Sequence, residues 1–361
     1  MKSKLLLLTF VLPFISLAQK VDLDRFNFTA SFRSLPVVKL DSSYRTYDLS
    51  TESTRLMQNY MADLAPEKYL RIQGWKMLPS GAHLSIKIRF EDLLPESFAT
   101  RERVEPIKDR TGKQIGVRTT YYQEVIYTLA ATGEVVDYKG EHVFDMVLAD
   151  RSAKQMYRSP EFQVRQVAEG YFMINALKIT GDLFRNNARN AIGRISSRLN
   201  YNYGFENVTV NDFMWILGNR KHPEYDAHRN AFLTIKEVMF GLSPDKPLTG
   251  VREKLQPVIK YFESIKKNYS SSSKADRKLR YASYFNLAVI YYYLDDPQAM
   301  MKEASGLILN DFDARDGRAF ENTALQLKQV FENSGYTTRH FPIDVNSFKG
   351  PNEKTQTVVT Y

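Results

Sequence analysis

The hydrophobic period of this chain changes once along its length, and that change limits the fold more than any single motif. From His83 to Phe90 apolar and polar residues alternate without a break, with Leu84, Ile86, Ile88 and Phe90 on one side and His83, Ser85, Lys87 and Arg89 on the other. A period of two describes a strand with one buried face. From Tyr171 to Leu199 the apolar residues Ile174, Leu177, Phe184, Ala188, Ala191, Ile192, Ile195 and Leu199 follow helical pitch instead, which predicts a long helix turning them towards a core. Gly181 and Gly193 lie inside that helix and are expected to weaken it. The expected fold class is therefore α+β: an N-terminal antiparallel β-sandwich-like domain followed by an α-helical domain.

Turn residues divide the β half further. Tyr121–Leu129 and Glu134–Tyr138 flank Ala131-Thr132-Gly133 as a hairpin, and His142–Leu148 adds another strand. Arg101–Arg118 is charged and carries Asp109-Arg110-Thr111-Gly112-Lys113, which predicts the tip of a long hairpin. A helix over Ser53–Asp63 is expected to interrupt the strands. In the second half a helix starts at Pro223, and Gly241–Gly250 is a linker. Helices follow over Leu255–Tyr269, Asp276–Leu294, Pro297–Leu309 and Asp316–Asn333, with a last strand over Thr355–Tyr361. The expected division is 1–18 a signal peptide, 19–165 the β-rich domain, 166–245 a helical domain, 246–340 helical hairpins and 341–361 an irregular tail.

The first residues predict export. Lys2 and Lys4 precede the apolar run Leu5–Leu12, and Ser16-Leu17-Ala18 supplies small residues ahead of Gln19. Such a run is too short to span a bilayer, and no later stretch is apolar enough to do so. The absence of cysteine removes disulfides, thiolate metal sites and a lipid-bearing cysteine together. An exported chain without disulfides suits the periplasm or the periplasmic face of an outer membrane. The net charge of +9 is compatible with anionic partners, but no polybasic block concentrates it.

Tyr284–Asp311 resembles a tetratricopeptide repeat. Asn286-Leu287-Ala288 matches the first helix, Tyr291 an aromatic position, Ala299 the small residue at the helix crossing, and Gly306-Leu307 the small-plus-apolar pair near the end of the second helix. The turn Asp295-Asp296 is one residue short of the repeat pattern, and no proline follows. The resemblance implies a helical hairpin whose groove positions Phe285, Val289, Tyr292 and Tyr293 contact a partner protein. Taken together, the leader, the β half and the helical repeats resemble exported envelope proteins of Bacteroidota.

Chemistry-bearing motifs are few. His222, Glu224 and His228 are spaced so that a helix start could bring them to one metal ion; the same Pro223-Glu224-Tyr225-Asp226 segment is also an ordinary helix start. Nucleotide, hydrolase and zinc-protease signatures are missing, and five histidines leave few bases for covalent catalysis. The sequence calls for no cofactor, and an exported chain without a basic-aromatic module is not expected to bind nucleic acid. The functional expectation is a non-catalytic periplasmic or envelope-associated adaptor that binds envelope proteins, including an outer-membrane complex. One alternative is a glycan- or peptidoglycan-binding protein that stacks sugars on Trp75, Tyr121, Tyr122 and Tyr138, drawn from 22 tyrosines and two tryptophans. A further alternative is an envelope hydrolase with paired carboxylates.

Overall fold

The computed structural model describes residues 20–352; the expected signal segment (residues 1–18) and the expected last strand (Thr355–Tyr361) lie outside the described residues. In chain order the first elements are β1 (Leu23–Arg33), β2 (Thr46–Ser53), α1 (Gln58–Met61), β3 (Lys76–Met77), β4 (Leu84–Phe90), β5 (Leu94–Lys108), β6 (Gln114–Thr128), β7 (Ala131–Asp137), β8 (His142–Ala149) and β9 (Gln155–Arg158). They are followed by α2 (Arg165–Tyr203), β10 (Asn207–Leu217), α3 (Tyr225–Gly241), α4 (Val251–Asn268), α5 (Lys274–Tyr293), α6 (Pro297–Leu309) and α7 (Ala314–Ser334). The fold is mixed α+β, a β-rich region followed by a helical one. Among the described residues no helix is long and apolar enough to cross a membrane.

Two compact units are formed, and they do not follow the expected boundaries. One comprises residues 20–33, 207–331 and 337–342, the other residues 34–206, 332–336 and 343–352. The first strand therefore leaves the β-rich region and belongs with the helices.

In the β-rich unit, a five-stranded sheet has the order β3-β2-β4-β7-β8 and a three-stranded sheet the order β5-β6-β9. The alternating segment forms β4 as expected, with Leu84, Ile86, Ile88 and Phe90 buried. Not every pair is antiparallel. β2 runs parallel to both β3 and β4, because residues 54–83 carry the chain back over the sheet before it re-enters as β4. The helix expected over Ser53–Asp63 shrinks to the single turn α1.

α2 runs for 39 residues, about 58 Å at 1.5 Å per residue, without breaking at Gly181 or Gly193. Its second half packs on the five-stranded sheet, with Phe184 5.8 Å from Phe90. Gly133 in β7 allows this approach, since a Cβ there would lie 2.6 Å from Ile195 Cδ1. Gly181 is likewise covered by the Tyr60 ring, which a Cβ would meet at 2.7 Å. The first half of α2 turns Phe172 and Ile179 onto Val125 of the three-stranded sheet.

In the helical unit, β1 and β10 form an antiparallel ribbon from Leu23↔Leu217 to Arg33↔Asn207. Residues 207–217 were expected in a helical domain. Their own pattern explains the strand: Val208 and Val210 alternate with Asn207, Thr209 and Asn211 at period two. Phe26, Phe28 and Phe32 of β1 pack with Phe232 of α3 and Tyr293 of α5 in the main core of this unit. The expected hairpin α5–α6 is present, and Asp296 caps α6 by accepting from the Ala299 N–H at 3.0 Å.

Candidate interaction surface

The groove positions implied by the repeat resemblance are filled by the chain itself. Phe285, Val289 and Tyr293 are buried in the core of the helical unit. Phe285 lies 5.3 Å from Phe213 and 5.0 Å from Phe320. Tyr293 packs 5.5 Å from Phe28, and its hydroxyl donates to Asp212 Oδ2 at 2.8 Å. Burial, followed by the Asp212 charge, pushes that hydroxyl well above the usual tyrosine range. Tyr292 is half-buried under the Arg339 guanidinium, 4.3 Å from its ring centre. The face of α5 that a repeat protein would offer to a partner is covered here by the β1–β10 ribbon and the segment 337–342. No local sequence pattern could show this, because β10 lies some seventy residues upstream of α5.

The expected metal ligands do not converge. Among the described residues no group of three or more histidine, aspartate or glutamate side chains could hold a metal ion. His228 is fully buried, its ring stacked 5.2 Å over Phe232 and flanked by Phe262. Its Nδ1 accepts weakly from the Leu217 N–H at 3.4 Å. Glu224 instead receives the hydroxyls of Tyr261 at 3.2 Å and Tyr269 at 3.1 Å. Burial and then the Glu224 charge push the Tyr269 hydroxyl up to about 12. His222 Nδ1 accepts from the Glu224 N–H at 3.2 Å. Glu224 thus belongs to a carboxylate–tyrosine cluster at the helix start, while His228 sits among aromatic rings and its Nε2 finds no hydrogen-bond partner among the described residues.

Most of the rings suggested for sugar stacking are also engaged. Trp75 is buried and donates its Nε1–H to the Tyr203 carbonyl at 2.8 Å. Tyr122 is buried beneath Arg158, whose guanidinium stands 3.5 Å from the ring centre. Tyr121 is half-buried, and Tyr138 alone of the four is exposed.

What remains open is a surface of the β-rich unit built from β5, β6 and the first half of α2. The hairpin tip falls where the sequence placed it. Asp109 Oδ1 accepts from the Thr111 N–H at 2.8 Å, the Thr111 hydroxyl at 2.6 Å and the Lys113 N–H at 3.0 Å, and Gly112 takes φ +85°. These Thr111 bonds hold the Asp109 carboxyl below the usual carboxylate range. β9 pairs with β6 only over Glu124–Tyr127. Beyond Thr120 the hairpin is a two-stranded ribbon with solvent on both faces, extending about 13 Å from Val104 to Lys108. Val104, Ile107, Ile115 and Val117 on this arm are exposed, and Pro106 opposite Val117 adds to the apolar side. The outer edge of β5 is defended by Pro95, Pro106 and alternating charge, which discourages strand addition there. The arm thus offers its faces.

Beside the root of the arm, Phe98 packs 5.1 Å from Phe172 of α2. On the far side of the same helix turns, Met173, Ile174 and Leu177 are 80%, 85% and 79% exposed, with Val167 and Val164 exposed about two to three turns earlier. This corrects the sequence reading, which turned Ile174 and Leu177 inward with Phe184 and Ile195. The buried residues of the first half are Ala168, Phe172 and Ile179. At 100° per residue Leu177 lies only about 20° from Phe184 around the helix, so pitch alone does not separate them; the two halves of α2 pack on different sheets, the first on Val125 and the second on Phe90.

No family model matches this chain, and no curated protein matches it. Among solved structures, one similar chain is described as a neuraminyllactose-binding hemagglutinin homolog from Helicobacter pylori. It is 13% identical, the match covers 45% of this chain and 89% of that one, and the TM-score is 0.22, too low to carry an argument about fold or function.

Proposed function

We propose that this chain is a non-catalytic protein-interaction protein of the cell envelope, which holds a partner protein on the apolar face of α2 beside the β5–β6 arm. The observation that carries this reading is the cluster Met173, Ile174 and Leu177, three large apolar side chains left in water on consecutive turns of one helix. Burying a side chain of this kind is worth about 1.5–3 kcal/mol, and contiguous exposed apolar patches mark interaction sites. The arm supports the same reading. A two-stranded ribbon with solvent on both faces is marginal by itself and gains from a surface to lie on. Export to the periplasm, or to the periplasmic face of the outer membrane, rests on the leader of Lys2, Lys4 and Leu5–Leu12. The partner is accordingly an envelope protein that presents apolar side chains to α2.

The test is crosslinking in intact cells, with the tagged chain compared against Ile174→Lys/Leu177→Lys. Lysine is a good helix former, and both sites are exposed, so the variant should melt as the parent does. The expected result is an envelope protein recovered reproducibly with the parent and lost from the variant. Equal recovery from both would remove α2 as the docking face.

A further inference from the structure

We propose that the partner held on α2 anchors itself with an aromatic side chain seated on Gly170. This rests on the docking reading above and adds to it the chemistry of the occupant. The chain carries its own example of the packing. Gly181 follows Gly170 by eleven residues in α2, which places it about 20° round and about 16 Å along the helix. There the ring of Tyr60 from α1 fills the space of a missing side chain: a Cβ on Gly181 would lie 2.7 Å from Tyr60 Cδ1 and 2.9 Å from Tyr60 Cε1. Two residues of the next turn flank the ring. Phe184, at i+3 from the glycine, is 6.3 Å away between ring centres, and Arg185, at i+4, brings Nη1 to 3.3 Å from the same Cβ position.

Gly170 repeats that arrangement with the space open. Beyond the backbone of α2 itself, no atom of the described residues lies within 4 Å of a Cβ built on it. Its neighbours at i−3, i+3 and i+4 are Val167, Met173 and Ile174, all exposed. With Gln166 at i−4 they surround the glycine as four side chains surround a hole on a helix surface. Met173 stands to Gly170 as Phe184 stands to Gly181, and a thioether beside a ring is a favourable contact.

Glycine is a poor helix former, and within the described chain nothing crowds Gly170 and no left-handed backbone requires it. At Gly181 the absent side chain is accounted for by the ring it admits. The same account at Gly170 calls for a ring supplied by the partner. A flat ring can lie on the bare backbone and still touch Met173 and Ile174 at its edges, whereas a branched aliphatic side chain is held further off. Rings are also the side chains that most often carry the binding energy of an interface.

Gly170→Ala and Gly170→Leu fill the hole and raise helix propensity, so both variants should melt at or above the temperature of the parent. In the intact-cell crosslinking experiment, capture of the partner should fall at least tenfold with Gly170→Leu and by less with Gly170→Ala. A variant that keeps its stability and loses its partner is not what a merely structural glycine would give. With a diazirine-bearing side chain at position 166, the crosslink should map within a helical turn of a phenylalanine, tyrosine or tryptophan of the partner. Changing that ring to alanine should abolish capture, and exchanging it for another ring should restore it. Undiminished capture by Gly170→Leu, with capture lost from Ile174→Lys/Leu177→Lys, would overturn the aromatic anchor and leave α2 as the docking face. Capture retained by Ile174→Lys/Leu177→Lys, or crosslinks to a second copy of this chain alone, would overturn both.

Discussion

Arg339 Nε donates to Asp295 Oδ1 at 2.7 Å, with the two side chains only 4% and 2% exposed. Asp295 also accepts from the Arg339 N–H at 2.6 Å and the Thr338 hydroxyl at 2.8 Å. The guanidinium lies between the rings of Phe32 and Tyr292. One aspartate in the α5–α6 turn, held at φ +57°, thereby ties down the segment 337–342. Removing one partner of a buried pair leaves the other uncompensated, at a cost of about 3–5 kcal/mol. Asp295→Ala should lower stability by that amount in urea titration and speed amide exchange over Thr338–Phe341. Asp295→Asn keeps an acceptor and tolerates the left-handed backbone, so it should cost less. A loss equal to that of alanine would show that charge alone matters.

Gly306 in α6 faces the ring of Tyr284 so closely that a Cβ would overlap it. The ring is held in place: Lys266 Nζ stands 4.6 Å over it while bonding Glu303 at 2.7 Å. Glycine to alanine within a helix is ordinarily worth about 0.5–1 kcal/mol of added stability. Here overpacking, at about 1–3 kcal/mol, should outweigh the propensity gain, so Gly306→Ala should destabilise. A rise in the denaturation midpoint would mean that the Tyr284 ring yields.

Features set by local pattern were legible in the sequence. The alternation of Leu84–Phe90, the Asp109–Lys113 tip and the Pro297 helix start each express a rule acting within a few residues. Features decided by distant pairing were not. The β1–β10 ribbon joins residues nearly two hundred positions apart, and it covers the face on which Phe285, Val289 and Tyr293 would otherwise have formed a groove. Ile174 and Leu177 show the opposite failure. They are apolar at helical spacing, and apolarity alone does not say whether a face meets the chain's own core or is left open. His228 is buried for a related reason: Tyr261 and Phe262, which enclose it with Phe232, arrive from α4.

One carboxylate reinforces the turn of the arm. Asp109 accepts three hydrogen bonds through Oδ1, beside two backbone bonds across the turn, from the Asp109 N–H to the Lys113 carbonyl at 2.9 Å and from the Gly112 N–H to the Asp109 carbonyl at 3.1 Å. Asp109→Ala should therefore loosen the ribbon beyond Thr120, seen as faster exchange of the amides in 104–108 and 114–119, while the global melt stays within error because the arm contributes little to either core. The sign with pH agrees. The folded carboxyl lies below its usual range, so its contribution is present above the ordinary aspartate pKa and lost as pH falls through the folded value. Acid well below the ordinary aspartate pKa should reproduce the alanine phenotype at the tip, and an arm unaffected by either change would locate its stability in the strands.

Burial of His228 makes the helical unit sensitive to acid. Burial, reinforced by Arg229 and His222, lowers its pKa from 6.5 to about 3. The unfolded chain takes up a proton near pH 6.5 and the folded one does not until about pH 3, so the unfolded state binds more protons throughout that window. Stability should be unaffected by this group above pH 6.5, fall by about 1.4 kcal/mol per pH unit below it, and level off below pH 3. His340, buried and bonded through Nδ1 to the Ser243 carbonyl, shifts in the same direction and adds to the slope. Urea titrations at pH 7 and pH 4.5 should thus differ by about 3 kcal/mol from His228 alone, with the protein less stable at pH 4.5. His228→Gln removes the titrating group, so its two titrations should lie closer together than those of the parent by that amount. An identical pH slope in parent and variant would mean that His228 is hydrated and titrates normally in the folded protein.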